Sequence, residues 1–302
     1  MQLSYKNYDC PICNFKKNKI IYSASLEENE LPIIGYDYDN LNQKKTFSYV
    51  KCQNCNHVFA SPRIEDMYKY YIDKEDIKYV SNSEFRRKTY LNLCKTLKKF
   101  KKGGDILEIG SGMGDFIHAA SNEKYKCTGI EISKFAFKIS KELGHNVYNM
   151  DLDEFIKLNK DKKFDFIVLM GVIEHLEYPN DELKKIYNLL KDNGLVVLWT
   201  GDYDSIYSKI LRKKWWYVIG QHIQLFSRKS LIYLFNNNSF KLEYNKNLSY
   251  TFDYNYLDLH LKRFLLYKVF LRFVFFPIFK MLKEIKLSLS SEILMIFRKI
   301  NK

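Results

Sequence analysis

Nowhere in its 302 residues does the sequence hold an uncharged apolar stretch near the roughly 18 residues that a membrane-spanning helix needs. The longest candidate, residues 273–279, is interrupted by Pro277 and bounded by Arg272 and Lys280, so no transmembrane span is expected. The opening Met1-Gln2-Leu3-Ser4-Tyr5-Lys6 lacks an apolar core behind a basic start, which argues against a secretory signal and for a cytoplasmic location. Also missing, outside the C-terminal region, is a dense basic block interleaved with aromatics, so nucleic acid is not the expected partner.

What is present suffices for a globular chain. The hydrophobic fraction of 46%, with 24 Tyr and 22 Phe, supplies a real core and rules against disorder. Domains usually run to roughly 100–200 residues, so the length suits one large α/β domain and a small accessory module. With 49 Lys+Arg against 35 Asp+Glu, the formal charge of +14 favours anionic partners such as nucleic acid, anionic lipid or a sugar nucleotide. The blander reading is a Lys-rich, solvated surface.

Of the six cysteines, four stand at two identical spacings, Cys10-Pro11-Ile12-Cys13 and Cys52-Gln53-Asn54-Cys55. Each two-residue gap lets both thiolates face one ion, and two such turns complete a tetrahedral Zn²⁺ site, here a structural staple. A reducing cytoplasm disfavours disulfides, and a redox pair would not need two copies. His57 is a further possible ligand, whereas Cys94 and Cys127 read as small core residues. Residues 1–64 are therefore expected to form a zinc-ribbon-like module. Residues 65–102 read as a helical linker, with apolar positions at helical spacing from Glu84 to Phe100.

From Gly103 onward, short apolar runs alternate with amphipathic helices, the pattern of a parallel sheet covered on both faces. Seven strands are expected, at residues 105–109, 126–132, 146–149, 164–170, 194–200, 240–244 and 292–298. The first runs into Gly110-Ser111-Gly112-Met113-Gly114-Asp115, where glycines let backbone approach a ligand and a helix N-terminus offers free N–H groups. A nicotinamide fingerprint would need glycine at 115, but Asp115 stands there. Glu108 is placed to anchor this loop or to meet an ammonium. Glu131 ends the second strand about 20 residues beyond the glycines, where a carboxylate accepts both hydroxyls of a ribose. Asp151 ends the third, placed to accept from an adenine amino group, with Met150 or Leu152 against the ring; a surface acid is the competing reading.

The residues Glu108-x-Gly110-x-Gly112-x-Gly114, Glu131, Asp151, the run from Phe164 to Met170 continuing through Glu174-His175-Leu176, and Leu189-Leu190-Lys191-Asp192-Asn193-Gly194 together resemble class I S-adenosylmethionine (SAM)-dependent methyltransferases. The resemblance covers residues 103–245 and the last strand. It implies an α/β, seven-stranded, doubly wound Rossmann-like sheet with an antiparallel last hairpin, SAM as cofactor, and an acceptor site over the C-terminal strand edge. It also implies that Glu108, Gly110, Ser111, Gly112, Gly114, Glu131, Ile132, Asp151, Leu152 and Met170 contact the cofactor.

The sulfonium methyl is already electrophilic, so the protein has to align an acceptor and, for a hydroxyl, take a proton. His222, after the fifth strand and Trp215-Trp216-Tyr217, is the better candidate base. His175 is the second, and can instead tie its turn to neighbouring backbone. The zinc module and the phrase from Cys52 to Arg63 are similar to methyltransferases of bacterial polysaccharide and deoxysugar pathways. Zinc-containing sugar C-methyltransferases carry Glu-His where this chain has Gln221-His222, so O-methylation of a sugar, glycan or lipid-linked intermediate is the favoured expectation. C-methylation, RNA methylation and a non-catalytic zinc-ribbon binding protein stay open. Residues 256–286, before the last strand, read as a basic amphipathic helical insertion that either lies at the inner membrane surface or covers the acceptor pocket or a dimer interface. Oligomeric state is left open.

Overall fold

The computed structural model describes residues 3–27, 29–35, 44–75, 83–252, 273–274 and 285–301. Its centre is a seven-stranded sheet. In chain order the strands are β6 (Gly104–Ile109), β7 (Tyr125–Ile130), β8 (Val147–Tyr148), β9 (Phe164–Met170), β10 (Leu190–Gly201), β12 (Phe240–Phe252) and β13 (Ile285–Lys299). Their spatial order is β12-β13-β10-β9-β6-β7-β8, with β13 antiparallel to both neighbours and the rest parallel. The chain winds outward from β6 to β8, then returns to β9 on the other side of β6. The edge above β6 and β9 is thus the switch point where open α/β sheets bind ligands.

The helices are α1 (Ser83–Leu97), α2 (Asp115–Asn122), α3 (Lys134–Glu142), α4 (Leu152–Leu158), α5 (Pro179–Leu189), α6 (Ile206–Leu211) and α7 (Arg228–Asn237). Every residue of β9 is buried, as a central strand covered on both faces requires. Its side chains divide by strand alternation. Ile167 and Leu169 join Leu107, Phe155, Leu183 and Phe235 on one face, while Phe166 and Val168 join Leu93, Leu97, Phe116 and Ile106 on the other.

The N-terminal segment builds a second, four-stranded sheet of order β11-β4-β3-β2, from β2 (Asn18–Tyr22), β3 (Tyr49–Cys52), β4 (Val58–Ala60) and β11 (Gln224–Leu225). Its edge strand β11 comes from the far side of β10, pairing Gln224 with Phe59 and Leu225 with Val58. A short ribbon of β1 (Tyr5–Lys6) and β5 (Arg63–Ile64) completes it. Cys10, Val50, Cys52 and Phe59 belong to the same apolar cluster as Leu198 and Phe226, so one core runs through both sheets.

Of the seven expected strands only Phe164–Met170 matches at both ends, most of the others differing by one to four residues. β7 stops at Ile130, not 132, and just beyond it the Glu131 carboxylate accepts from Ser133 N. The last hairpin is longer than residues 240–244 and 292–298, reaching Phe252 and starting at Ile285. Lys286, Ser288 and Ser290 interrupt the continuous apolar run that marked the strands read from the sequence. The expected insertion of 256–286 therefore ends by residue 284; apart from Phe273 and Val274, helical and exposed, it lies outside the described residues. Among the described residues, no helix is long and apolar enough to cross a membrane.

Asp115, at the position that a dinucleotide site would give to glycine, opens α2 and ties it to α1. Its carboxylate takes Arg86 Nε at 2.7 Å, Arg87 Nε at 3.0 Å and the Ser83 hydroxyl. The acid is 4% exposed. Breaking a buried ion pair costs about 3–5 kcal/mol, and both arginines here are partly exposed, so Asp115→Ala is expected at the lower end of that range. Thermal melting checks this; an unchanged melting temperature would refute the role.

Candidate functional site

The loop after β6 is shaped by its glycines. Ile130 O accepts from Gly110 N at 2.9 Å and Ser111 N at 3.0 Å, holding the loop against β7. Gly110 has φ +67°, and a Cβ there would sit 2.7 Å from Val172 Cγ2. Gly114, the N-cap of α2, has φ +80°, and a Cβ would overlap the His145 ring and lie 2.5 Å from Ser140 Oγ. Gly112 also has positive φ, +52°. A side chain at 110 or 114 would thus face both backbone strain and a clash.

Two acids flank this cradle. Glu131 Oε2 accepts from Gly112 N and Oε1 from Ser133 N, both at 2.7 Å, so the carboxylate faces the loop. Burial pushes its pKa up, against those N–H bonds. Glu108, at the end of β6, is pushed well above the usual carboxylate range by burial and by the charges of Asp115 and Glu131. Its Oε2 is buried with no hydrogen-bond partner, as is Ser111 Oγ. A ligand bearing an ammonium and hydroxyl groups fits these atoms.

Asn149 joins the next two strand ends, donating to Glu131 O at 2.8 Å and Ile132 O at 3.1 Å. Sequence reasoning missed it, although a lone Asn after a short strand is a turn signal. Asp151 is the N-cap of α4, with Oδ1 accepting from Glu154 N at 2.9 Å, and Glu154 reaching back to Asp151 N. Half of its carboxylate is thus committed to a capping box. Leu152 is buried in the cluster around Ile130, and Met170 ends β9 against the α1 and α2 side.

Across the switch point, His175 and His222 meet with ring centroids 4.8 Å apart. His175 Nδ1 lies 3.0 Å from Gln221 O and 2.8 Å from Tyr71 Oη, so it does tie its turn to backbone. His222 Nδ1 lies 2.8 Å from Tyr217 O. Burial lowers both: His175 to about 4, and His222 well below the ordinary histidine value. Glu174 is pushed up to about 8 by burial, and its Oε2 accepts from Thr200 Oγ1 at 3.0 Å.

Beside them stands a second polar-aromatic group. Glu292, in β13, accepts from Trp199 Nε1 at 2.9 Å, Trp216 Nε1 at 3.3 Å and the Tyr250 hydroxyl. Trp199 also lies 3.1 Å from where a Gly171 Cβ would be. Tyr71, Trp199, Tyr250 and Glu292 were not singled out in the sequence. A lone acid opening an otherwise apolar strand was the signal available for Glu292.

The four cysteines of the two knuckles converge. Cys10 Sγ and Cys55 Sγ are 3.5 Å apart, Cys13 Sγ and Cys52 Sγ 3.6 Å, and all four lie within 4.8 Å of one another without a disulfide. Tetrahedral zinc at about 2.3 Å from each sulfur puts sulfurs roughly 3.8 Å apart, so the set fits that ion. The Cys55 thiol is drawn down to about 5 by its hydrogen bond with Cys10, whose own thiol is pushed up. His57 is not part of the set: its Nε2 pairs with Gln224 Oε1 at 2.9 Å between Phe59 and Phe226. Cys94 is buried in α1 and Cys127 half-buried in β7.

Comparison with known proteins places this geometry. A methyltransferase-domain family model matches residues 83–245. Among curated proteins, the chain is 29% identical over 125 residues to an uncharacterized protein of Methanocaldococcus jannaschii, covering 41% of this chain and 58% of the relative. It is 27% identical over 107 residues to a ubiquinone biosynthesis O-methyltransferase of Glaesserella parasuis, covering 32% and 45%. The chain thus spans about half the length of these relatives. A SAM-dependent methyltransferase of Archaeoglobus fulgidus shares the fold, with TM-score 0.52 and 21% identity over 74% of this chain and all of that one. A plantazolicin methyltransferase crystallised with S-adenosylhomocysteine (SAH) aligns at TM-score 0.50 and 18% identity, over 78% and 90%. With more than half of its residues matched by the family model, the chain belongs to the methyltransferase-domain family.

Proposed function

We propose that the protein is a SAM-dependent methyltransferase that O-methylates a sugar, glycan, sugar nucleotide or lipid-linked intermediate of surface polysaccharide synthesis. The observation that carries the reading is the position of the His175–His222 pair, with His175 in the turn after β9 whose Val172 packs on Gly110 of the glycine cradle. SAM fits the cradle's chemistry. Its ammonium would meet the unpartnered Glu108 Oε2, and its ribose hydroxyls would donate to the Glu131 carboxylate. Asp151 keeps one oxygen for the adenine amino group, with Leu152 against the ring and Ile132 and Met170 beside it. SAH bound to the plantazolicin methyltransferase of the same fold supports this cofactor.

The acceptor wall favours a sugar. Trp199, Trp216 and Tyr250, each half-buried, offer rings to the C–H faces of a pyranose, while Gln221, the imidazoles and Glu292 offer hydrogen bonds. Methyl transfer is an in-line displacement at carbon, so alignment supplies most of the rate and a group near the acceptor oxygen handles its proton. His222, neutral because it is buried, is the candidate for that role, with His175 second. The four cysteines hold a structural zinc, and residues 256–284 are proposed to contact the inner membrane surface when the acceptor is lipid-linked.

Methyl-labelled SAM, incubated with the protein and with sugar nucleotides, lipid-linked saccharides or cellular RNA, tests the reading. Label is expected in the saccharide arms as an alkali-stable ether. Transfer into RNA alone, or no transfer despite SAM binding, would overturn the acceptor assignment.

A further inference from the structure

Glu174, His175 and His222 form a second cluster with metal-ligating chemistry. One ligand atom from each lies within 4.8 Å of the other two. We propose that these three residues bind a divalent transition-metal ion that takes the acceptor's hydroxyl oxygen. This deepens the methyltransferase reading above and rests on it for the reaction, though not for the ion.

The first support is how the imidazoles are held. A carbonyl oxygen only accepts, so Gln221 O at 3.0 Å from His175 Nδ1 and Tyr217 O at 2.8 Å from His222 Nδ1 place a proton on each Nδ1. Both rings therefore carry their lone pair on Nε2. Metal-binding histidines are fixed in this way, with the distal N–H given to a backbone carbonyl or carboxylate. Tyr71 braces the His175 ring from the side, with its hydroxyl also 3.5 Å from Gln221 Oε1.

Glu174 supplies the charge. It is 2% exposed, and its hydrogen-bond partner, the Thr200 hydroxyl, is neutral. A buried carboxylate ordinarily has a cation or becomes neutral. Two neutral nitrogens and one carboxylate suit manganese, iron or zinc better than calcium or magnesium, which prefer all-oxygen sets. Three protein ligands leave further positions open to outside oxygens.

Placement supplies the function. Glu174 and His175 lie in the turn that follows β9, and Val172 of that turn packs on Gly110 of the cofactor loop. An ion here sits beside the region where the sulfonium methyl is expected. A hydroxyl bound to it loses its proton to water more readily, because the ion stabilises the alkoxide. The alkoxide oxygen then bonds to the methyl carbon as the carbon–sulfur bond breaks, its electron pair passing to sulfur. The products are a methyl ether, SAH and one proton in solvent. In this arrangement His222 holds the ion instead of taking the proton directly. A second open position takes a neighbouring hydroxyl, which selects vicinal diols.

The test uses the full chain, replete with zinc at its cysteines, titrated with Mn²⁺ and followed by electron paramagnetic resonance. Thiolate sites bind manganese poorly, so the cysteine cluster does not compete. One Mn²⁺ per chain is expected, with nitrogen couplings in the electron spin echo. Glu174→Gln and His222→Asn should each weaken it at least tenfold while SAM affinity and melting temperature stay near wild type. No bound Mn²⁺ in the wild-type protein, Mn²⁺ without nitrogen couplings, or unchanged affinity in both variants would overturn the site. The wild-type couplings decide the matter even where a variant fails to fold. Mn²⁺ bound with nitrogen couplings, but with no methyl transfer to any acceptor, would sustain the ion site and sink the methyltransferase reading.

Discussion

Cys52→Ser is expected to release one zinc per chain and to abolish methyl transfer while leaving SAM affinity within a few-fold of wild type. Apparent zinc-binding energies in small cysteine and histidine modules run to about 10–16 kcal/mol, more than the net stability of most domains. Residues 3–64 contribute few core side chains, and Phe47, Tyr49 and Val58 pack in a cluster shared with Trp215 and Ile223, so the ion would be a large part of what orders them. The effect on activity follows from hydrogen bonds. Tyr49, three residues before Cys52 in β3, donates to Ile219 O at 3.0 Å and His222 O at 2.6 Å. Ala60 N bonds Ile223 O at 2.8 Å, and β4 pairs with β11. Losing the metal frees the segment that carries His222, whereas the glycine cradle is built on β6 and β7. Metal analysis, melting and turnover check this together. No zinc in the wild-type protein, or normal turnover in Cys52→Ser after the zinc is lost, would reject the structural zinc.

Glu131→Ala is expected to weaken SAM binding by two to four orders of magnitude. A hydrogen bond to a charged group contributes about 1.5–3 kcal/mol, and two ribose hydroxyls on one carboxylate therefore amount to roughly 3–6 kcal/mol. The same substitution removes the acceptor for Gly112 N and Ser133 N, so the cradle itself loosens. Glu131→Gln separates these effects. It keeps one acceptor oxygen but turns an NH₂ towards a backbone N–H, and an intermediate affinity is expected. Isothermal titration with SAM is the measurement, and an affinity for Glu131→Ala within threefold of wild type would remove Glu131 from the cofactor site.

The parallel part of the sheet was legible because burial on both faces leaves a continuous apolar run, as in Phe164–Met170, and because strand ends there carry Gly or acids. The extended hairpin was not: Lys246, Asn247 and Ser249 are exposed along β12, where the register shifts between Asn247 and Ser249, and such a polar stretch looks like loop until the partner strand is known. The cofactor edge was readable because its residues follow strand ends in order. The acceptor side was not, since Tyr71, Trp199, Tyr250 and Glu292 come from four distant stretches that only the fold assembles. Nothing in the local sequence showed that Asp151 would cap α4 or that residues 224–225 would leave the main sheet for the N-terminal one.

That last feature bears on any attempt to cut or graft this protein. The family match begins at residue 83, and a fragment starting there would contain the whole cofactor cradle. It would also strip the partner from β11 and expose Phe226 and Leu225, both buried in the full chain. Such an edge invites pairing with other chains. Exchanging acceptor preference between relatives would accordingly require moving residues 3–64 and residues 215–226 as one inheritance unit, since β11 pairs with β4 and Tyr49 bonds the backbone of Ile219 and His222.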